Sequence, residues 1–141
     1  QKNRAEALFS TISGGAENLV QGRGSTIGGG EGDTATAPGA TIGGGLKNKV
    51  LHNSATVAGG IENVATGVIF GASTVGGGRL NTASGDYSTV SGGARNAALN
   101  THTTVSGGAQ DTASGPKFHR RRRLPQCRQC KCHYHSGRTG K

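Results

Sequence analysis

The residues best suited to chemistry sit together near the C-terminus. Cys127, Cys130, Cys132, His133 and His135 follow one another as C-x-x-C-x-C-H-x-H. Thiolates and imidazoles at such spacing are soft donors of the kind that hold zinc. Just before them, Arg120, Arg121, Arg122 and Arg123 form an unbroken cationic run that suits phosphate or another polyanion. A third set is spread along the chain: Asn18, Asp33, Asn48, Asn63, Asn81, Asn96 and Asp111 recur at nearly fixed intervals. Such a row can be metal ligands or a stacked, hydrogen-bonded ladder, and the ladder is the preferred reading. The calcium-binding nonapeptide G-G-x-G-x-D is not met, because Gly29-Gly30-Glu31-Gly32 is followed at once by Asp33. No G-x-x-x-x-G-K phosphate loop occurs. Outside the tail, no Ser/His/Asp, paired-carboxylate or Cys/His arrangement recurs, and His52 and His102 fall on variable, outward places. The chain therefore reads as non-catalytic, with no catalytic, cofactor or metal residue assigned.

The element that must position these residues is a short repeat. Seven Thr-Ile or Thr-Val pairs begin at Thr11, Thr26, Thr41, Thr56, Thr74, Thr89 and Thr104, at intervals of 15, 15, 15, 18, 15 and 15 residues. With each threonine as place zero, place one is always Ile or Val, and places three and four are always Gly-Gly. Place seven is the Asn or Asp already named. Place nine is Ala or Val, from Val20 to Ala113, and place eleven is often Gly. A fixed short period of this kind specifies a stacked array.

Inside the repeat the apolar residues alternate with period two, as strands require. A glycine pair in every coil would break any helix and supplies the positive φ of a tight corner. The predicted fold is all-β: a parallel β-roll or β-solenoid over residues 1–116, whose 15-residue coils each hold two short strands and two turns. Equivalent strands of successive coils then pair about 4.8 Å apart. The interior must be narrow. Apolar residues make up 31% of the chain, against roughly 45–50% in ordinary domains. A single coil cannot offset its ordering entropy, so stacking is obligatory, and side-by-side association is expected to add burial.

Ser88-Thr89-Val90-Ser91-Gly92-Gly93 with Asn96, and Asn81-Thr82-Ala83-Ser84-Gly85, resemble the head repeats of trimeric autotransporter adhesins, the YadA-like or haemagglutinin-type repeats, in a 15-residue variant. The resemblance covers about residues 1–116. It implies a left-handed parallel β-roll, a homotrimer, a host or surface macromolecule as ligand, and a place at the cell surface, the outer membrane or outside the cell. Similar repeats in phage fibres give a tail-fibre segment as an alternative. Reading the repeat back from Thr11 puts Asn3 at place seven and Ala5 at place nine. The chain thus opens in mid-coil, and it is expected to be a segment of a longer protein, with no membrane span within it.

Residues 117–141 differ in kind. They carry nine of the 16 Lys and Arg residues, all three cysteines and the whole net charge of +9. Residues 1–116 hold seven basic and seven acidic residues. Three readings compete for this tail: the metal site, a genuine nucleic-acid or polyanion arm, and a slip of reading frame. The codons permit the third. Phe118-His119-Arg120-Arg121-Arg122-Arg123 written as TTC CAC CGT CGG CGG CGG becomes Ser-Thr-Val-Gly-Gly-Gly one base later. That puts threonine at 119, the place the period demands. Tyr134 to Arg138 shifted the same way permits Thr-Ile-Ala-Gly-Gly from 134, one period on. The frame slip is preferred, so nucleic acid is not the expected partner and the tail is expected to be disordered.

One irregularity remains. The long interval holds three extra residues near Val68-Ile69-Phe70, flanked by Gly67 and Gly71. The preferred expectation is a bulge packed on a neighbouring coil or subunit. The alternative is an exposed contact for a ligand.

Overall fold

The computed structural model of the chain describes residues 2–115, together with the backbone of residues 119–120. Among these residues there are sixteen two-residue strands and no helix. The strands at places eight and nine are β1 (Arg4–Ala5), β3 (Leu19–Val20), β5 (Thr34–Ala35), β7 (Lys49–Val50), β9 (Val64–Ala65), β11 (Thr82–Ala83), β13 (Ala97–Ala98) and β15 (Thr112–Ala113). They form one parallel sheet in that order. The strands at places zero and one are β2 (Thr11–Ile12), β4 (Thr26–Ile27), β6 (Thr41–Ile42), β8 (Thr56–Val57), β10 (Thr74–Val75), β12 (Thr89–Val90), β14 (Thr104–Val105) and β16 (His119–Arg120), and they form the second. The fold is a β-solenoid of 15-residue coils.

A third line of pairing runs up the stack at place five. Single-residue bridges join Ala16, Glu31, Leu46, Ile61, Arg79, Ala94 and Ala109 in turn. Each of the seven coils from Thr11 to Ala113 is thus tied to its neighbours in that set along three lines. The register never slips. Thr56 pairs with Thr74 and Ala65 with Ala83 across the long interval, so the three extra residues are absorbed wholly in the turn. At the far end His119 pairs with Thr104 and Arg120 with Val105. Place zero of an eighth coil therefore falls at 119, the place the period demands. Residues 121–141, and with them Arg121 to Arg123 and the Cys127, Cys130, Cys132, His133 and His135 set, lie outside the described residues.

The core is a set of columns. Ile27, Ile42, Val57, Val75, Val90 and Val105 at place one, and Val20, Ala35, Val50, Ala65, Ala83 and Ala98 at place nine, are completely shielded from solvent. Ile12, in the first complete coil, is half-buried and packs against them. Burying one valine contributes about 1.5–3 kcal/mol, whereas fixing the backbone costs roughly 1–2 kcal/mol per residue. No coil holds itself; each is held by its neighbours.

Two further columns face inward. The place-seven Asn and Asp side chains are buried, as are Ser25, Ala40, Ala55, Ser73, Ser88 and Thr103 at place fourteen. The interior therefore mixes apolar columns with polar ones.

Candidate functional site

The recurring carboxamides are a structural ladder. The side-chain oxygen of each accepts the backbone N–H of its counterpart one coil on: Asn48 Oδ1 from Asn63 at 3.0 Å, Asn63 Oδ1 from Asn81 at 2.9 Å, Asn81 Oδ1 from Asn96 at 2.9 Å. The amide nitrogen donates twice. Asn81 Nδ2 reaches the carbonyl of Gly77 in its own coil at 2.8 Å and that of Gly93 in the next at 2.9 Å. Asn18, Asn48, Asn63 and Asn96 repeat this pattern. Asn3 opens the ladder by accepting the N–H of Asn18 at 3.0 Å. All three side-chain hydrogen bonds are thus used within the stack, and each of these asparagines is committed to structure.

The ladder also explains the glycine pair. The second glycine of each pair has φ between 83° and 114°, a region that L side chains avoid. A Cβ on Gly78 would strike the carbonyl oxygen of Gly93 and lie 2.7 Å from Asn81 Nδ2. The place is closed to any side chain because the asparagine and the next coil's backbone fill it.

Asp33 breaks the pattern. Its Oδ1 accepts the Asn48 N–H at 2.7 Å. Its Oδ2 takes the position of a donating amide, and it is buried without a partner. Burial pushes its pKa above the ordinary value of 3.8, and the hydrogen bonds from Asn48 only partly oppose that.

The insertion is an ordered loop. Val68, Ile69 and Phe70 are 70%, 70% and 67% exposed, so the expected packing against a neighbouring coil does not form. The loop is held from beneath by Asp86, at place twelve of the following coil. The Asp86 carboxylate accepts backbone N–H groups from Val68 at 2.8 Å, Ile69 at 3.1 Å and Gly71 at 2.9 Å. Burial alone would raise the Asp86 pKa. The N–H donors of Gly71, Val68, Phe70 and Ile69 outweigh it and bring the value down to about 2. The sequence reading missed Asp86. The available signal was its spacing, one period after Gly71.

His52 and His102 sit on the turns. His52 Nδ1 accepts the N–H of Asn53 at 2.9 Å, and His102 stacks on Tyr87 with ring centroids 5.2 Å apart. Among the described residues no three His, Cys, Asp or Glu side chains gather as metal ligands, and no helix is long and apolar enough to cross a membrane. Comparison with models of known protein families and with curated proteins gives no match.

Proposed function

We propose that this chain is a structural and binding segment of a cell-surface adhesin or fibre, and that it works as a homotrimer. The observation that carries the reading is where the coils are alike and where they differ. Places one, three, four, seven, nine and fourteen are consumed by the stack, whereas places five, six, ten and thirteen change freely from coil to coil and face outward; place twelve varies too, and turns inward at Asp86. Such a chain is a rod with an invariant inside and a variable outside. Seven coils at about 4.8 Å each span roughly 34 Å. The side chains it displays are a series of contact points rather than a catalytic cleft. The likeness of Ser88 to Asn96 to YadA-like head repeats supports the same role, the trimer and a location at the cell surface, in the outer membrane or outside the cell. A phage tail fibre would use the same rod for the same purpose.

The test is attachment. Beads coated with the chain are expected to bind host cell layers or matrix saturably, and soluble chain should compete them off. Beads that attach no better than those coated with an unrelated protein overturn the adhesin reading.

A further inference from the structure

From the arrangement of outward side chains at places five and six we infer a binding site for an acidic saccharide, built on Arg79 and Arg95. In the first four coils this side carries Glu17, Glu31, Lys47 and Glu62, a mixed and mostly acidic face. In the last three it carries Arg79, Arg95 and Gln110, with no acid. There the surface is also hollowed. Arg79, Leu80, Ala94, Arg95, Ala109 and Gln110 line a cleft of about 380 Å³. The cleft exists because alanine occupies place five in the last two coils, where Leu46, Ile61 and Arg79 fill it in the three before.

The two guanidinium groups are available. Among the described residues the one ion pair is Arg4 with Glu6, so no carboxylate bridges Arg79 or Arg95, and Glu62, one coil from Arg79, makes no ion pair with it. Both side chains are exposed at the rim. Their backbones are fixed relative to each other: the Arg95 N–H donates to the Arg79 carbonyl at 2.9 Å, and the Gln110 N–H to the Ala94 carbonyl at 2.9 Å. The arginines therefore stand on successive coils, about 4.8 Å apart along the stack. Each offers a planar fork of donors that matches carboxylate or sulfate. The Gln110 amide adds a donor and an acceptor at the third corner, and the alanine floor accepts a flat carbon face.

This set suits a sugar acid better than an acidic peptide. A peptide gains most of its affinity from large side chains sunk in apolar pockets or from an open sheet edge. The cleft has one large apolar wall, Leu80, and its backbone is already paired along the stack through the Arg79, Ala94 and Ala109 bridges. A pyranose ring carrying one carboxylate or sulfate needs only the forks, the amide and the flat floor. The inference rests on the adhesin reading for the idea that the natural ligand is a surface glycan.

The test is a titration of the isotope-labelled full chain, read at the backbone amides of Ala94, Ala109 and Gln110. The probes are an unsulfated disaccharide containing one uronate, a sulfated disaccharide without carboxylate, and a neutral disaccharide. Saturable shifts at these amides with either acidic probe, and none with the neutral one, are the expected result. Whichever acidic probe binds identifies carboxylate or sulfate as the recognised group. Arg79→Ala and Arg95→Ala should each weaken binding about tenfold or more, while Arg23→Ala, an exposed arginine on another turn, leaves it unchanged. Equal weakening by Arg23→Ala, equal shifts with the neutral sugar, or no shift with any probe overturns the site. The attachment assay separates the two claims. Beads that still attach when the cleft binds no saccharide overturn the site alone, and a cleft that binds saccharide on beads that never attach overturns the adhesin reading alone.

Discussion

A single atom sets the energetics of the Asn ladder. At six places, counting Asn3, the side chain ends in an NH2 that serves two glycine carbonyls or is positioned to do so. At Asp33 it ends in an oxygen with no proton to offer, buried without a partner, at the place where Asn18 and Asn48 each donate to two glycine carbonyls. Asp33→Asn restores both donors and is expected to stabilise the chain by about 1–3 kcal/mol at pH 7. The pH dependence follows from the direction of the shift. Burial raises the Asp33 pKa in the folded chain above 3.8, so its destabilising effect is absent below that ordinary value and develops as pH rises through the folded pKa. A protonated Asp33 can donate to a glycine carbonyl much as asparagine does. The stability gap between the variant and the native chain should therefore close on acidification, whereas a gap that holds constant to pH 3 would mean Asp33 is already paired. The charged residues of its own and the flanking coils, Glu17, Arg23, Glu31, Lys47 and Lys49, all stand outward in solvent and influence it weakly.

At the scale of the element, the loop over Val68 to Gly71 tests whether its shape is built or incidental. Asp86→Ala leaves the N–H groups of Val68, Ile69 and Gly71 without their acceptor. Hydrogen exchange at these amides should accelerate by an order of magnitude or more, while amides of the strand pair Thr89–Val90 keep their protection. Uniform acceleration through the array would show that Asp86 supports the stack rather than the loop. The same carboxylate, lowered to about 2, contributes stability above the ordinary value of 3.8 that is lost as pH falls toward 2. Acid should thus loosen the loop while it relieves Asp33, two opposite responses in one chain.

The strands that frame this loop were legible in the sequence, and the turns were only partly so. Thr-Ile and Thr-Val pairs, Gly-Gly and the recurrent Asn carry fixed side-chain demands, so their period alone gives strands, corners and ladder. Place six makes no such demand. Glu17, Lys47, Glu62, Leu80, Arg95 and Gln110 all adopt φ between 54° and 59° there, with no residue type in common. The N–H of this place donates to the coil before, as Glu62 does to Leu46 at 2.8 Å, and that bond offsets the local strain. The inward column at place fourteen was hidden for a related reason. Serine and alanine are small enough to serve inside or outside, so their recurrence does not declare a direction. Arg79 and Arg95 were visible as residues, but only the stack puts them side by side.

For the whole molecule, stability is a property of neighbours. Each coil contributes one Ile or Val and one small apolar residue, so interrupting a single coil should divide the array. Val90→Asp puts an unpaired charge where the side chain is fully shielded, a change expected to cost more than about 4 kcal/mol. A melting curve that is unchanged would mean that the place-one column faces solvent in solution. The thin interior leads to the last expectation. Leu8, Phe9, Leu51, Val68, Ile69, Phe70 and Leu99 are all large, apolar and more than 40% exposed in the single chain, and a trimer would cover part of that surface. If three chains associate, folding is linked to association, and the melting temperature must rise with protein concentration. Sedimentation over a hundredfold dilution series, with a melting curve at each step, measures both at once. The trimer predicts a mass near three times 14.1 kDa at the concentrated end and a falling melting temperature on dilution. A monomeric mass throughout, with one melting temperature at every concentration, would mean that the narrow core and its asparagine ladder suffice alone.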